Sequence, residues 1–165
     1  MSDTNKIVLG GNLDAVTDDD GEVASGETIN PGDFAEKNNE NDPDEFAAQS
    51  TAAEEGIPLY ITVKDYVGGG IDSSSTASYA DSDGQYDAGE HINVALVGTG
   101  VRLNARCASG TNYTFGDKLV LNGDGTLRAL DTAGGDDVSD TVAVARENND
   151  LSGASSPDHV EVLTV

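Results

Sequence analysis

A chain of 165 residues with 31 acidic and 8 basic side chains has a formal charge of −23; 36% of it is hydrophobic, 5% aromatic, and it has no Trp. Such a balance excludes a phosphate-neutralising nucleic-acid surface, and no run approaches the roughly 18 apolar residues of a membrane span. Cys107 stands alone, which excludes an internal disulfide and a multi-cysteine zinc site.

In chain order, the start Met1-Ser2-Asp3-Thr4-Asn5-Lys6 lacks a basic stretch leading into an apolar one, so no secretory signal is expected. Ile7-Val8-Leu9 is an isolated apolar triplet ahead of a polar run. It reads either as the first strand of the domain or as part of an N-terminal arm, within residues 1–23, that adds a strand to a neighbour's sheet edge. The second reading makes Ile7, Val8 and Leu9 candidate partner-interface residues. Asp42-Pro43-Asp44-Glu45 has the capping pattern of a helix start, but the repeat described below favours a strand at Glu45–Gln49. Leu59-Tyr60-Ile61-Thr62-Val63-Lys64 is a β-branched run. Residues 68–87 form a long Gly/Ser-rich loop, of a length that compact domains usually reserve for function or mobility.

Downstream, His91–Val97, Val101–Ala105, Lys118–Leu121, Thr126–Leu130, Thr141–Arg146 and His159–Thr164 read as strands, several with the alternation of a half-buried sheet. Asn122-Gly123-Asp124-Gly125 supplies the positive-φ residues of a tight hairpin turn. The predicted fold is all-β with little helix: one compact β sandwich or partly open β barrel.

The chain also resembles itself. Ala24-Ser25-Gly26, five residues, then Gly32-Asp33 recurs as Ala108-Ser109-Gly110, five residues, then Gly116-Asp117. Phe46–Ala52 parallels Leu127–Ala133, Tyr60–Asp65 parallels Val142–Glu147, and His91–Val97 parallels His159–Val165, all in the same order. These blocks predict an internal duplication, with pseudo-repeats at about 24–97 and 108–165 inside a single domain of 1–165. Because the apolar positions are few, the core is expected to be thin and self-association or a partner surface to support it.

The acidity has two physical readings. High net charge with low hydrophobicity favours disorder. A folded protein adapted to molar salt shows the same balance, because a Debye length of roughly 3 Å mutes self-repulsion. The clear β patterns in the second half favour the folded, salt-adapted reading.

A search for chemistry yields little. The two histidines, His91 and His159, occupy equivalent repeat positions, as structural residues do, and Cys107 has no histidine near it in sequence. No nucleophile elbow, HExxH pair or Walker loop occurs. Asp81, Asp83 and Asp87, around a Gly turn, could offer hard oxygen ligands to a cation. They lack the acid that closes a calcium loop, and in a chain this acidic such spacing arises by chance. No catalytic residue, cofactor or metal is therefore expected, with these three aspartates as weak metal candidates.

With the repeats in place, the chain resembles the head-decoration, or capsid-cement, proteins of tailed viruses. The resemblance rests on Lys6-Ile7-Val8-Leu9-Gly10, on Ala24–Phe34, on Tyr86-Asp87-Ala88-Gly89-Glu90 leading into Ile92–Val97, on Gly116-Asp117-Lys118-Leu119, on Gly123–Leu127 and on Val142–Ala145. The acidity and the insertion at Gly68–Ala88 look like a version from a virus of a halophilic archaeon. The resemblance implies a small non-enzymatic protein on the outer capsid surface of the virion, commonly a homotrimer, that clamps neighbouring major capsid subunits, with no nucleic-acid or membrane partner. The alternative is an adhesion module of a virion or cell surface, reading a host glycan or protein through the long loop with Tyr79 and Tyr86.

Overall fold

The computed structural model describes residues 7–11, 16–38, 44–50, 58–63 and 85–165. Strands dominate these residues, and the one helical element among them is a 3₁₀ turn at Val138–Asp140. The first eight strands are β1 (Val8–Gly11), β2 (Val16–Val23), β3 (Thr28–Ile29), β4 (Phe34–Lys37), β5 (Glu45–Ala48), β6 (Leu59–Thr62), β7 (Tyr86–Asp87) and β8 (His91–Val97). The remaining seven are β9 (Val101–Cys107), β10 (Asn112–Tyr113), β11 (Lys118–Leu121), β12 (Leu127–Ala129), β13 (Ala143–Ala145), β14 (Asn149–Asp150) and β15 (Asp158–Thr164). Glu45–Ala48 is thus a strand, despite the helix-like capping pattern before it: Phe46 pairs with Val23 on one side and Lys37 on the other, and sheet pairing outweighs local propensity.

Five strands, β2-β5-β4-β6-β8, close into a barrel. Its one parallel pair is β2–β5; the other four pairings are antiparallel. A second ring, β9-β12-β11-β13-β15, is closed by the pairing of β15 with β9, again with one parallel pair, β9–β12. The connectivity of β2–β8 is therefore repeated strand for strand by β9–β15. Even the small side ribbons correspond: β3 pairs with β7 through Thr28↔Asp87, and β10 with β14 through Asn112↔Asp150. Closure leaves each ring without the two open ends of a flat sheet, and β1 adds to β9 of the second ring as an extra strand.

Register identifies the equivalent residues. Val23↔Phe46 matches Cys107↔Leu127, and Glu22↔His91 matches Arg106↔His159. One block differs from the sequence alignment by a single residue. Phe34↔Ile61 matches Lys118↔Val144, so Ile61 corresponds to Val144 rather than to Ala143. In a strand, a shift of one exchanges the two faces, and the identity of the residue facing out changes with it.

The core shows why the two barrels stay together. Ile92 and Val94 of β8 fill the first barrel with Val23, Ile29, Phe46 and Tyr86. Ala95 and Val97 of the same strand join a second, larger cluster, along with Phe34, Ile61 and Ile7. That cluster also holds Leu103, Leu119, Leu127 and Val160 of the second barrel. The outer wall of the first barrel is thus itself apolar and buried against the second. Phe34 and Ile61 are fully buried there, each burial stabilising by roughly 1.5–3 kcal/mol.

Candidate functional site

The junction of the barrels centres on the turn Pro31-Gly32-Asp33, which the first barrel presents to β9 and β15 of the second. Asp33 is 2% exposed. Its carboxylate accepts two hydrogen bonds from Arg106 Nη1, at 3.0 and 2.8 Å, and others from the backbone and side-chain nitrogens of Asn30 at 2.8 and 3.1 Å. Burial pushes the Asp33 carboxyl above its ordinary value, and the Arg106 charge works against that rise. Nε2 of His159 lies 2.9 Å from Pro31 O; since a carbonyl only accepts, Nε2 carries the proton. The Arg106 amide donates to Gly32 O at 2.9 Å, and the Phe34 amide to Gly125 O at 2.6 Å. Gly32 has φ +94°, and a Cβ added there would stand 2.8 Å from His159 Nε2 and 3.0 Å from Asn104 O. Both its conformation and its closeness to the second barrel require glycine. The repeated Gly-Asp pair is visible in the sequence; this junction is not. The signal was present at one position: Glu22 of the first copy is matched by Arg106 in the second, an exchange of charge at the same register.

The equivalent wall of the first barrel is acidic. Asp19, Asp20, Glu22, Asp44, Glu45 and His91 line an open groove there. Lys37 donates to Asp19 at 2.8 Å and holds its carboxyl below the ordinary value, and His91 lies 3.6 Å from Asp20. No three metal-ligating side chains gather among the described residues. Of the aspartates considered for a cation, Asp81 and Asp83 lie outside the described residues. Asp87 is exposed on β7, where its amide donates to Glu90 Oε2 at 2.8 Å and its carboxylate accepts from Thr28 Oγ1 at 3.4 Å.

The N-terminal triplet is engaged within its own chain. Ile7 is 3% exposed in the shared core, and β1 runs antiparallel to β9 with Val8 opposite Leu103. The recognition reading of Tyr86 needs correction: it is fully buried in the first barrel, and its hydroxyl donates to Val63 O at 3.1 Å. The reason is its place on β7, opposite the buried Ile29, which turns the ring inward. Tyr79 lies outside the described residues. Cys107 is buried, and burial pushes its thiol well above the ordinary range, so little thiolate forms.

One loop of the second barrel projects an apolar side chain outward. Phe115 is 61% exposed, with the Arg146 guanidinium 5.1 Å from its ring centre. Its amide donates to Asn148 Oδ1 at 2.7 Å, which holds the turn.

No family model matches the chain, and no curated protein matches it. Among solved structures it is similar to the N base of the head fibre gp8.5 of bacteriophage phi29, at 18% identity and a TM-score of 0.55. The likeness covers 91% of this chain and 94% of that one, so it spans both barrels; at this identity, what the two share is the fold.

Proposed function

We propose that this chain is a structural virion protein that seats on the outer surface of an assembled capsid and clamps neighbouring major capsid subunits. The observation that carries the reading is the likeness of almost the whole two-barrel fold to the N base of a bacteriophage head fibre. The β-turn patterns that resemble those of capsid-cement proteins agree with it. Cys107 is buried, and His159 Nε2 faces the Pro31 carbonyl. The protein acts as a non-enzymatic brace, as a homo-oligomer with a trimer favoured, without nucleic acid or membrane as partner. Two barrels joined through a shared apolar core suit this work, since a clamp resists shell expansion only if it does not itself deform. Linking several modest contacts on one oligomer raises the effective concentration of each. The charge of −23 suits a virus of a halophilic archaeon, whose molar salt screens repulsion between acidic partners.

Two measurements test the reading. Quantifying the protein in purified virions distinguishes a brace, present in numbers comparable to the shell subunits, from a host-binding fibre tip present in few copies. Mixing the protein with undecorated shells should give saturable binding and a higher disruption temperature of the shell; no binding in molar salt overturns the proposal. Circular dichroism at low and molar salt tests the halophilic element, which fails if folding is indifferent to salt.

A further inference from the structure

The duplication shows what covers a barrel of this kind on one side; among the described residues, nothing covers the second barrel in the same way. Each residue that the first barrel buries in the junction has a register-matched counterpart on the second. Pro31-Gly32-Asp33 corresponds to Phe115-Gly116-Asp117, Phe34 to Lys118, Ile61 to Val144, and Ala95 to Leu163. The first set is buried; in the second, Phe115, Gly116 and Lys118 are exposed and Asp117, Val144 and Leu163 are half-buried. The turn is nevertheless built the same way. Gly116 has φ +95° against +94° at Gly32, and the Thr114 amide donates to Asp117 Oδ2 at 2.8 Å as the Asn30 amide does to Asp33. A Cβ at Gly116 would meet nothing within 4 Å, whereas one at Gly32 would meet the second barrel. Among the described residues, Asp117 Oδ1 accepts no hydrogen bond, where Asp33 Oδ1 takes Arg106.

We infer that the face formed by Phe115, Asp117, Lys118, Val144 and Leu163 is the docking surface for the capsid shell, received by a β wall of the shell protein that places a cationic side chain against Asp117. The inference rests on the proposed function and names the surface it uses. Charge decides between partners. A second copy of this chain has two walls of the receiving kind. Its β9–β15 wall, with Arg106 and His159, is already covered by its own first barrel. Its β2–β8 wall has Glu22 and Asp20 exposed at the place where Asp117 would arrive, and carboxylates facing each other repel. A foreign wall with an arginine or lysine there repeats the Asp33–Arg106 arrangement. Lys118 and Arg146, two of only 8 basic side chains, lie on or beside this face, which is therefore less acidic than the β2–β8 wall with Asp19, Asp20 and Glu22.

The test compares wild-type protein with Phe115→Asp, Asp117→Lys and, on the first barrel, Glu22→Gln, in co-sedimentation with undecorated shells of the same virus in molar salt. Thermal melting establishes that each variant folds, with Asp117→Asn replacing the lysine variant if it does not. Phe115→Asp and the Asp117 variant should each weaken shell binding at least tenfold, and Glu22→Gln should leave it unchanged. Wild-type protein that ignores shells removes the proposed function and this surface with it. Wild-type binding matched by both loop variants overturns the surface alone and leaves the function standing. Loop variants that turn an oligomer into a monomer by sedimentation velocity, with shell binding per subunit intact, show a second copy on this face and overturn the assigned partner.

Discussion

The two barrels share one connectivity and differ in what lies against them. In the first, the outer wall is apolar and its Gly-Asp turn is buried around an arginine of the second. In the second, the same wall is half-open and its Gly-Asp turn faces outward. Strand order and turn chemistry are therefore properties of the repeat, whereas burial belongs to position. The same local structure is kept in the buried turn and in the exposed one, so the turn does not need the junction in order to form.

The two walls should differ most at Phe34. Phe34→Ala should cost about 3–5 kcal/mol, because the ring is fully buried and the space cannot collapse without moving both barrels. Lys118→Ala, at the matching place on the exposed wall, should change stability by no more than about 0.5 kcal/mol. Chemical denaturation of the two variants measures the contrast, and equal costs would mean that the first wall is not a packed interface.

Arg106→Ala should cost a comparable amount, about 3–5 kcal/mol, since it leaves the Asp33 carboxylate buried without its cation. Its pH dependence is more informative than its size. Burial already raises the Asp33 carboxyl, and removing the guanidinium raises it further. A carboxyl whose folded value exceeds its unfolded one favours the fold at low pH and loses that contribution as pH rises through the folded value. The variant should therefore recover stability relative to wild type on acidification from neutral pH toward pH 4. A constant deficit across that range would place the carboxylate in contact with solvent.

A smaller contrast separates two glycines of the same conformation. Gly116→Ala should cost only the left-handed strain, about 1–2 kcal/mol. Gly32→Ala adds a collision with His159 and Asn104, about 1–3 kcal/mol more. Equal melting shifts for the two would show that the junction yields freely.

The smallest effect is expected at the surface of the second barrel. Arg128 and the Asp131 amide hold the Asp136 carboxyl at about 2 against an ordinary 3.8. A folded value below the unfolded one stabilises above about pH 4 and loses that contribution as pH falls toward 2. In molar salt, where the relief of acid–acid repulsion on protonation is muted, Asp136→Asn should flatten this part of the acid-unfolding curve. An unchanged slope would remove Asp136 as a contributor.

Several features are legible in the sequence. The strand at Phe46 was readable because its counterpart at Leu127 sits in an unambiguous hairpin, so the second copy resolved what the Asp42–Glu45 capping pattern obscured. The match of His91 to His159 was legible for the same reason. The alignment at Tyr60 slipped by one residue because a run of β-branched side chains reads equally well in either register until a partner strand chooses. The junction was not legible. Arg106 lies 73 residues from Asp33, and nothing local marks a carboxylate that is to be buried. Nor could Tyr86 be told from a contact residue, since the same side chain suits a binding loop and a barrel interior.

By itself, the chain of residues determined the all-β class, the positive-φ Gly-Asp turns and the order in which the elements recur. Those depend on alternation, φ preference and spacing, which are local and repeat wherever the pattern does. Tertiary pairing alone settles that each copy closes into its own ring, that one wall is buried while the matching wall is half-exposed, and that Asp33 and Asp117 live in different surroundings. Closure and burial depend on pairing across dozens of residues, and an aspartate acquires its energetic meaning from the group that finally lies against it.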